Sequence, residues 1–163
     1  MLTSIADGTF YFVSDDYFRD FPDPYLMKNK EIINGQPHGR PCFYAFKDTL
    51  TGLYWMIPLS SQTEEYHLHA KKKAQKYGKC ETILFGDVLG YERAFLIQNM
   101  CPMTNKYLVN QYIDAQANIA VRVNGDFEAK LIKTAQKVLC RARKGVKLIF
   151  PDVLAIEHKL LFP

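Results

Sequence analysis

The chain has no CxxC pair, no internal repeat and no low-complexity tract. No apolar run approaches the roughly 18 residues that a membrane-spanning helix needs. Its four cysteines, Cys42, Cys80, Cys101 and Cys140, are 38, 21 and 39 positions apart, each in an apolar neighbourhood. That spacing argues against a zinc site or a disulfide framework and for buried, reduced thiols. The N-terminus also lacks the basic-then-apolar pattern of a secretory signal. The expectation is a soluble, cytoplasmic protein with no membrane partner. Acidic residues are missing from one long stretch, since Lys130 to Lys147 holds seven cations and no acid. Residues 1–35 show the reverse, with six acids against Arg19, Lys28 and Lys30. The net charge of +4 is modest, but this asymmetry suggests a polyanionic partner for the C-terminal half.

What is present is enough for a core. Hydrophobic residues make up 48% of the 163 positions and aromatic residues 13%, which excludes a disordered chain. One domain over residues 1–163 is expected. Thr9–Ser14 reads as a strand, and Asp15-Asp16 open a short helix that ends at Pro22. Residues 22–39 are rich in Pro, Gly, Asn and Asp and read as a long loop. Arg40–Lys47 and Leu53–Leu59 read as a hairpin, with Gly52 in its turn. A helix follows over Gln62–Tyr77 and stops at Gly78. Further strands are expected at Glu81–Phe85, Arg93–Gln98 and about Asn118–Val123. A long helix runs from Gly125-Asp126 to just before Gly145, and a last one covers about Pro151–Leu160. Antiparallel strands with separate helices make this an α+β fold, expected as a small twisted barrel or half-barrel with helices outside.

The chemistry-bearing segment is the junction Leu59-Ser60-Ser61-Gln62-Thr63-Glu64, where a strand meets a helix. Hydroxyls at a helix N-terminus, beside unpaired backbone N–H groups, favour a phosphate. The same residues match a capping box, with Ser61 capping and Glu64 reaching back. The two readings are compatible, because one serine can cap while the other points outward. On the helix that follows, His67 and Lys71 share one face, and so do His69 and Lys73. A histidine beside a lysine suits proton transfer to or from an anion, although a solvated face with incidental histidines has the same pattern. His67 and His69 point about 200° apart on a helix and cannot share one metal ion. Arg40 stands where the hairpin brings it near Ser60, so it is either a phosphate clamp or a surface arginine.

Lys130, Lys133, Lys137, Arg141 and Lys144 are spaced 3, 4, 4 and 3. On a helix they fall within one stripe roughly 80° wide. Phe127, Leu131, Ala135, Val138, Leu139 and Ala142 form the apolar side. Five aligned cations with no acid among them repel one another, and a phosphate backbone would relieve that repulsion. An ordinary solvated face is the alternative. The ten tyrosines and eleven phenylalanines favour RNA over duplex DNA, because aromatic side chains can stack unpaired bases.

Four blocks carry a family resemblance. They are Phe10-Tyr11-Phe12-Val13-Ser14-Asp15-Asp16-Tyr17-Phe18, Arg40-Pro41-Cys42-Phe43, Tyr54-Trp55-Met56-Ile57-Pro58-Leu59-Ser60-Ser61, and Phe95-Leu96-Ile97-Gln98-Asn99-Met100-Cys101-Pro102. In this order they resemble the toxins of type III toxin–antitoxin systems, nearest to the CptN branch of the ToxN/AbiQ-like group. The resemblance implies a MazF-like β-barrel core with added helices. It implies a metal-independent, sequence-selective endoribonuclease that uses no cofactor, in which the RNA 2′-hydroxyl attacks and a 2′,3′-cyclic phosphate is left. It further implies a small repeated pseudoknot RNA as antitoxin, processed by the toxin and bound in a closed assembly with two or more toxin copies. Growth arrest and phage defence are the implied roles.

By position, Ser60 and Ser61 match the family's active-site hydroxyl pair, and Tyr17 matches a tyrosine near the site. The family's lysine after the hydroxyl pair is replaced here by Thr63-Glu64-Glu65. The cation must then come from elsewhere, with Arg40 first and Lys71 or Lys72 next, and with His67 as an acid–base candidate. The expected catalytic set is Ser60, Ser61, Thr63, Arg40, Tyr17 and His67. The expected RNA-binding set is Lys71, Lys72 and Lys73 with the Lys130–Lys144 stripe. A non-catalytic RNA-binding regulator is the rival reading, since the basic helix alone would serve it.

Overall fold

The computed structural model describes residue 2 and residues 4–163, so residues 1 and 3 of the expected domain lie outside the described residues. In chain order the elements are β1 (Phe10–Val13), α1 (Asp15–Asp20), β2 (Lys30–Ile33), β3 (Gln36–Gly39), β4 (Pro41–Lys47), β5 (Tyr54–Ser60), α2 (Thr63–Tyr77), β6 (Ile83–Val88), β7 (Tyr91–Leu96), β8 (Cys101–Met103), β9 (Leu108–Gln111), β10 (Ile113–Asp114), β11 (Ile119–Ala120), α3 (Gly125–Arg143) and α4 (Val153–Leu161). The α+β class is as expected. The main sheet is antiparallel in the order β6-β7-β5-β4-β1-β9, with β8 also on β5. Among the described residues no closed barrel forms, so of the expected barrel or half-barrel only the open form is seen. The end strands β6 and β9 share no ladder among the described residues, and β9 has only four residues with which to reach round.

β5 organises the sheet, and its apolar run is buried on both faces. One edge pairs with β4. The other is divided, with Tyr54, Trp55 and Met56 opposite β8 and Leu59 and Ser60 opposite Phe95 and Ala94 of β7. Pro58 lies just before the β7-paired segment. It has no N–H to donate, so the break between partners suits it. Beneath the sheet, Leu131, Ala135, Val138 and Leu139 of α3 are buried against Phe10, Phe43 and Phe95, as the apolar stripe predicts. Phe127 lies 5.0 Å from the Phe95 ring and fills the space beside Gly86, where a Cβ would come within 2.5 Å of its ring. On the other side Tyr66 and Ala70 of α2 pack on Ile83, Ala94 and Leu96.

The expected loop over 22–39 is in part a hairpin. β2 and β3 pair from Lys30↔Gly39 to Ile33↔Gln36 around Asn34-Gly35, both with positive φ (51° and 76°). That is the turn for which Asn-Gly is the preferred sequence. The strands expected at Glu81–Phe85 and Arg93–Gln98 lie instead at β6 and β7, closed by Leu89-Gly90, both again at positive φ. A leucine in that position hides the turn from sequence. Gly78, at φ 84°, ends α2 as expected. All four cysteines are free, but only Cys42 and Cys101 are buried, and Cys140 is exposed on α3. Burial pushes the Cys101 thiol up to about 12. No helix among the described residues is long and apolar enough to cross a membrane.

Candidate active site

β5 ends by delivering Ser60 into a tight turn. The Ser60 Oγ accepts the Gln62 N–H at 3.1 Å, and the Ser61 carbonyl accepts the Thr63 N–H at 2.9 Å. The N-cap of α2 is therefore Gln62, whose side chain makes no capping bond. The expected Ser61–Glu64 capping box does not form, because the serine-centred turn leaves Ser61 outside the cap. Ser60 has 3% of its surface exposed, whereas Ser61 is half-buried at the mouth of the turn.

Two further groups meet there. The Ser61 N–H faces the Glu31 carboxylate at 3.3 and 3.5 Å. Arg40 donates from Nε to the carbonyl of Lys28 (2.8 Å) and from Nη1 to Glu31 (2.9 Å) and to the carbonyl of Leu59 (2.6 Å). Its backbone N–H goes to the carbonyl of Asn29 at 2.7 Å. The Arg40 and Glu31 side chains are only 9% and 13% exposed. Arg40 thus reaches the turn, as the strand pairing predicts. It arrives already committed to these partners, tying the hairpin to the end of β5.

On the outer side of the turn lies a cleft of about 440 Å³. Ser60 and Ser61 form one wall, the hairpin contributes Glu31 and His38, and β7 contributes Arg93. Phe12, Tyr91 and Tyr112 supply aromatic surface. Glu31 and His38 are directly opposite one another in the β2–β3 ladder, which puts both on one face of the hairpin. Arg93 donates only to the carbonyl of Glu92, lies 5.4 Å from the Tyr91 ring centroid, and has no carboxylate partner among the described residues. The cleft therefore combines hydroxyls, an imidazole, an uncommitted guanidinium and ring faces. Sequence reasoning missed Glu31, His38 and Arg93. Asn34-Gly35 was the signal that could have found the first two, since a two-residue hairpin there sets Glu31 against His38.

The remaining expected residues are placed elsewhere. Tyr17 is 0% exposed, packs on Phe21 and Tyr107, and donates its hydroxyl to the carbonyl of Pro102 at 2.8 Å. Burial holds its pKa far above the ordinary tyrosine range, and the residue sits in the core rather than in the cleft lining. Thr63 starts α2 and does not line the cleft. His67 stacks on Phe85 (3.6 Å between ring centroids) and bonds Glu92 at 2.8 Å, which fastens α2 to the β6–β7 hairpin outside the cleft. His69 faces Glu65 instead. Among the described residues no group of three or more His, Cys, Asp or Glu is placed to hold a metal ion.

Lys71 and Lys72 are exposed, but Lys73 turns inward and donates to Thr82 and Gln98. On α3, Lys130, Lys133, Lys137 and the capping Lys144 are exposed and Arg141 is half-buried. The stripe is not free of acids. Glu81, before β6, lies 2.8 Å from Lys137, 3.7 Å from Arg141 and 3.1 Å from Lys79. The hydrogen bond from Lys137, against a smaller opposing effect of burial, keeps the Glu81 carboxyl below the usual glutamate range. Lys130, Lys133 and Lys144 have no ion pair among the described residues.

No family model matches the chain, and no curated protein sequence does. Among solved structures, the fold is similar to that of AbiQ, a lactococcal anti-phage endoribonuclease belonging to the type-III toxin–antitoxin system. The match covers 95% of this chain and 96% of that one, with a TM-score of 0.67 and 16% sequence identity. At that identity the likeness is one of fold, and it extends over nearly the whole of both chains.

Proposed function

We propose that this chain is a single-domain, cytoplasmic endoribonuclease toxin of the type III toxin–antitoxin kind, acting in the Ser60–Ser61 cleft. The observation that carries this reading is the meeting of His38, Arg93 and the serine pair in one cleft walled by aromatic rings. The AbiQ-like fold supports it, since that protein is an anti-phage endoribonuclease. The finer attributes follow from the block resemblance to the CptN branch: sequence-selective, metal-independent cleavage, processing of a small repeated pseudoknot antitoxin RNA, and inhibition in a closed assembly of two or more toxin copies.

In the proposed reaction the RNA 2′-hydroxyl loses its proton to a base and its oxygen attacks the adjacent phosphorus. The bond to the 5′-oxygen breaks, an acid protonates that oxygen, and a 2′,3′-cyclic phosphate and a 5′-hydroxyl result. RNA supplies its own nucleophile, so Ser60 and Ser61 position the phosphate. His38 is assigned to proton transfer, because an imidazole exchanges protons near neutral pH. Negative charge that develops on the non-bridging oxygens is met by Arg93, and a fixed donor there is worth a few kcal/mol, about 10²–10³ in rate. Arg93 thereby fills the role left open by Thr63. The Lys130 and Lys133 end of the α3 stripe, with Lys71 and Lys72, holds the RNA backbone.

Purified protein incubated with RNA in the presence of a chelator should yield fragments ending in 2′,3′-cyclic phosphate. Binding without such ends would establish the non-catalytic regulator instead. Co-purification of a short repeated RNA with the native protein would test the antitoxin assignment separately.

A further inference from the structure

A second cavity, of about 500 Å³, lies at the other end of α2. The fifteen residues of that helix place it about 22 Å from the Ser60 turn. Its walls combine two kinds of surface. Tyr77, 68% exposed at the last position of α2, and Phe150 offer aromatic rings. Lys73, Lys79, Arg141 and Lys147 bring positive charge, against the single carboxylate of Glu81. Glu81 is already shared among Lys79, Lys137 and Arg141, and Lys147 has no ion pair among the described residues. The floor is polar and organised. The Lys73 amine donates to the buried Thr82 at 3.0 Å and to the buried Gln98, and it sits 4.9 Å from the Phe150 ring centroid. Burial also pulls the Lys73 ammonium below the ordinary lysine range, which fits a group enclosed by the floor.

Each kind of surface alone is unspecific. Rings alone would take any apolar ligand, and cations alone any anion. A planar base joined to a phosphate satisfies both at once, and the volume is in the range of small-ligand sites. We propose that this cavity is a second RNA subsite that takes one unpaired nucleotide, its base against Tyr77 and Phe150 and its phosphate toward Arg141 and Lys147. The inference rests on the reading of the protein as an enzyme that acts on RNA. It adds that the RNA is gripped at two points about 22 Å apart, so that an RNA must be several nucleotides long to occupy both.

The test uses the full chain and a fluorescent 2′-O-methyl oligoribonucleotide, which spans both points and has no free 2′-hydroxyl to attack. Tyr77→Ala should raise its Kd about tenfold, the loss of one base stack. Lys147→Ala should flatten the dependence of log K on log salt by roughly 0.7, the value for one phosphate on a single strand. Cleavage of a trinucleotide too short to reach the cavity should keep its wild-type kcat/KM in Tyr77→Ala. Adenosine monophosphate titrated into labelled protein should shift the backbone resonances of Tyr77, Thr82 and Lys147, and inorganic phosphate should do so only more weakly. Equal shifts at equal concentrations of phosphate would overturn the nucleotide assignment, and so would an unchanged oligonucleotide Kd in Tyr77→Ala. If nucleotide binds here while the wild-type protein cleaves no RNA, the subsite stands and the proposed function falls. The converse pattern removes only the subsite.

Discussion

Arg40→Ala takes away a guanidinium that holds three chain segments together: the carbonyl of Lys28, the carboxylate of Glu31 and the end of β5 at Leu59. With side chains 9% and 13% exposed, the Arg40–Glu31 pair has little solvent to fall back on. Removing one partner of a buried pair costs about 3–5 kcal/mol. Glu31 sits on a hairpin that can shift toward water, so the lower end, about 3 kcal/mol, is expected. For a domain of this size that lowers Tm by roughly 6–12 °C. Calorimetric melting of Arg40→Ala, Glu31→Gln and the double variant measures it, and the double-mutant coupling should be about 1–3 kcal/mol. Arg93→Ala is the control. Lacking a carboxylate partner, it should change stability by less than about 0.5 kcal/mol while cleavage falls about 10²–10³-fold. The reasoning is refuted if Arg40→Ala melts like the wild type and no longer cleaves, while Arg93→Ala cleaves normally. The two arginines would then have exchanged roles.

His38→Gln should slow cleavage in a gel-based RNA assay by about 10²–10⁴, with little effect on melting. Lys133→Glu should weaken RNA binding more than Lys137→Glu does at low salt, because Lys137 is already paired with Glu81; equal losses by fluorescence anisotropy would contradict the pairing. Gly86→Ala should destabilise by about 1–3 kcal/mol in chemical denaturation, since the added Cβ meets the Phe127 ring. Acid should weaken the fold. For Asp48 burial opposes ionisation, but bonds from Arg143 and from the Leu50 N–H outweigh it, so its carboxyl titrates below the usual range. Glu81 is lowered chiefly by its hydrogen bond from Lys137 and Asp20 by the one from Tyr107. Depressed folded-state pKa values confer stability that is present above the ordinary carboxylate range and lost as pH falls through the folded values. Tm should therefore decline progressively below about pH 4; a flat profile between pH 5 and 2.5 would deny these partners.

The sequence was most legible where one local rule acted alone. The apolar stripe of α3, the glycine that stops α2 and the β4–β5 hairpin each follow from periodicity or a single turn residue. Legibility failed where a distant contact decided the outcome. Ser61 satisfies the capping-box pattern, yet the bond from Gln62 to Ser60 moved the cap. Tyr17 lies one residue past an acidic pair and looks accessible, but the rings of Phe18, Phe21 and Tyr107 enclose it once α1 folds onto the Asn105–Tyr107 turn. The α3 stripe has no acid of its own, and Glu81 reaches it from 56 positions away from Lys137. Part of the site could have been read. Asn34-Gly35 announces a hairpin, although composition across 22–39 argued for a loop. Arg93 could not, because only the pairing of β7 with the end of β5 brings it to the serines.

The β2–β3 hairpin pairs only with itself, and no residue of either strand belongs to the buried core, yet it contributes His38 to the cleft. His38 thus comes to the cleft from outside the folding core, whereas Ser60 and Arg93 come to it from the main sheet itself. A substitution on the hairpin's cleft face away from Glu31 alters what the cleft admits at almost no thermodynamic cost, whereas a change in β5 is first tested by whether the protein folds. Under the proposed function, cleavage preference can therefore be redesigned by exchanging residues 32–37 of the hairpin while His38 is kept together with Glu31 and Arg40, which anchor it.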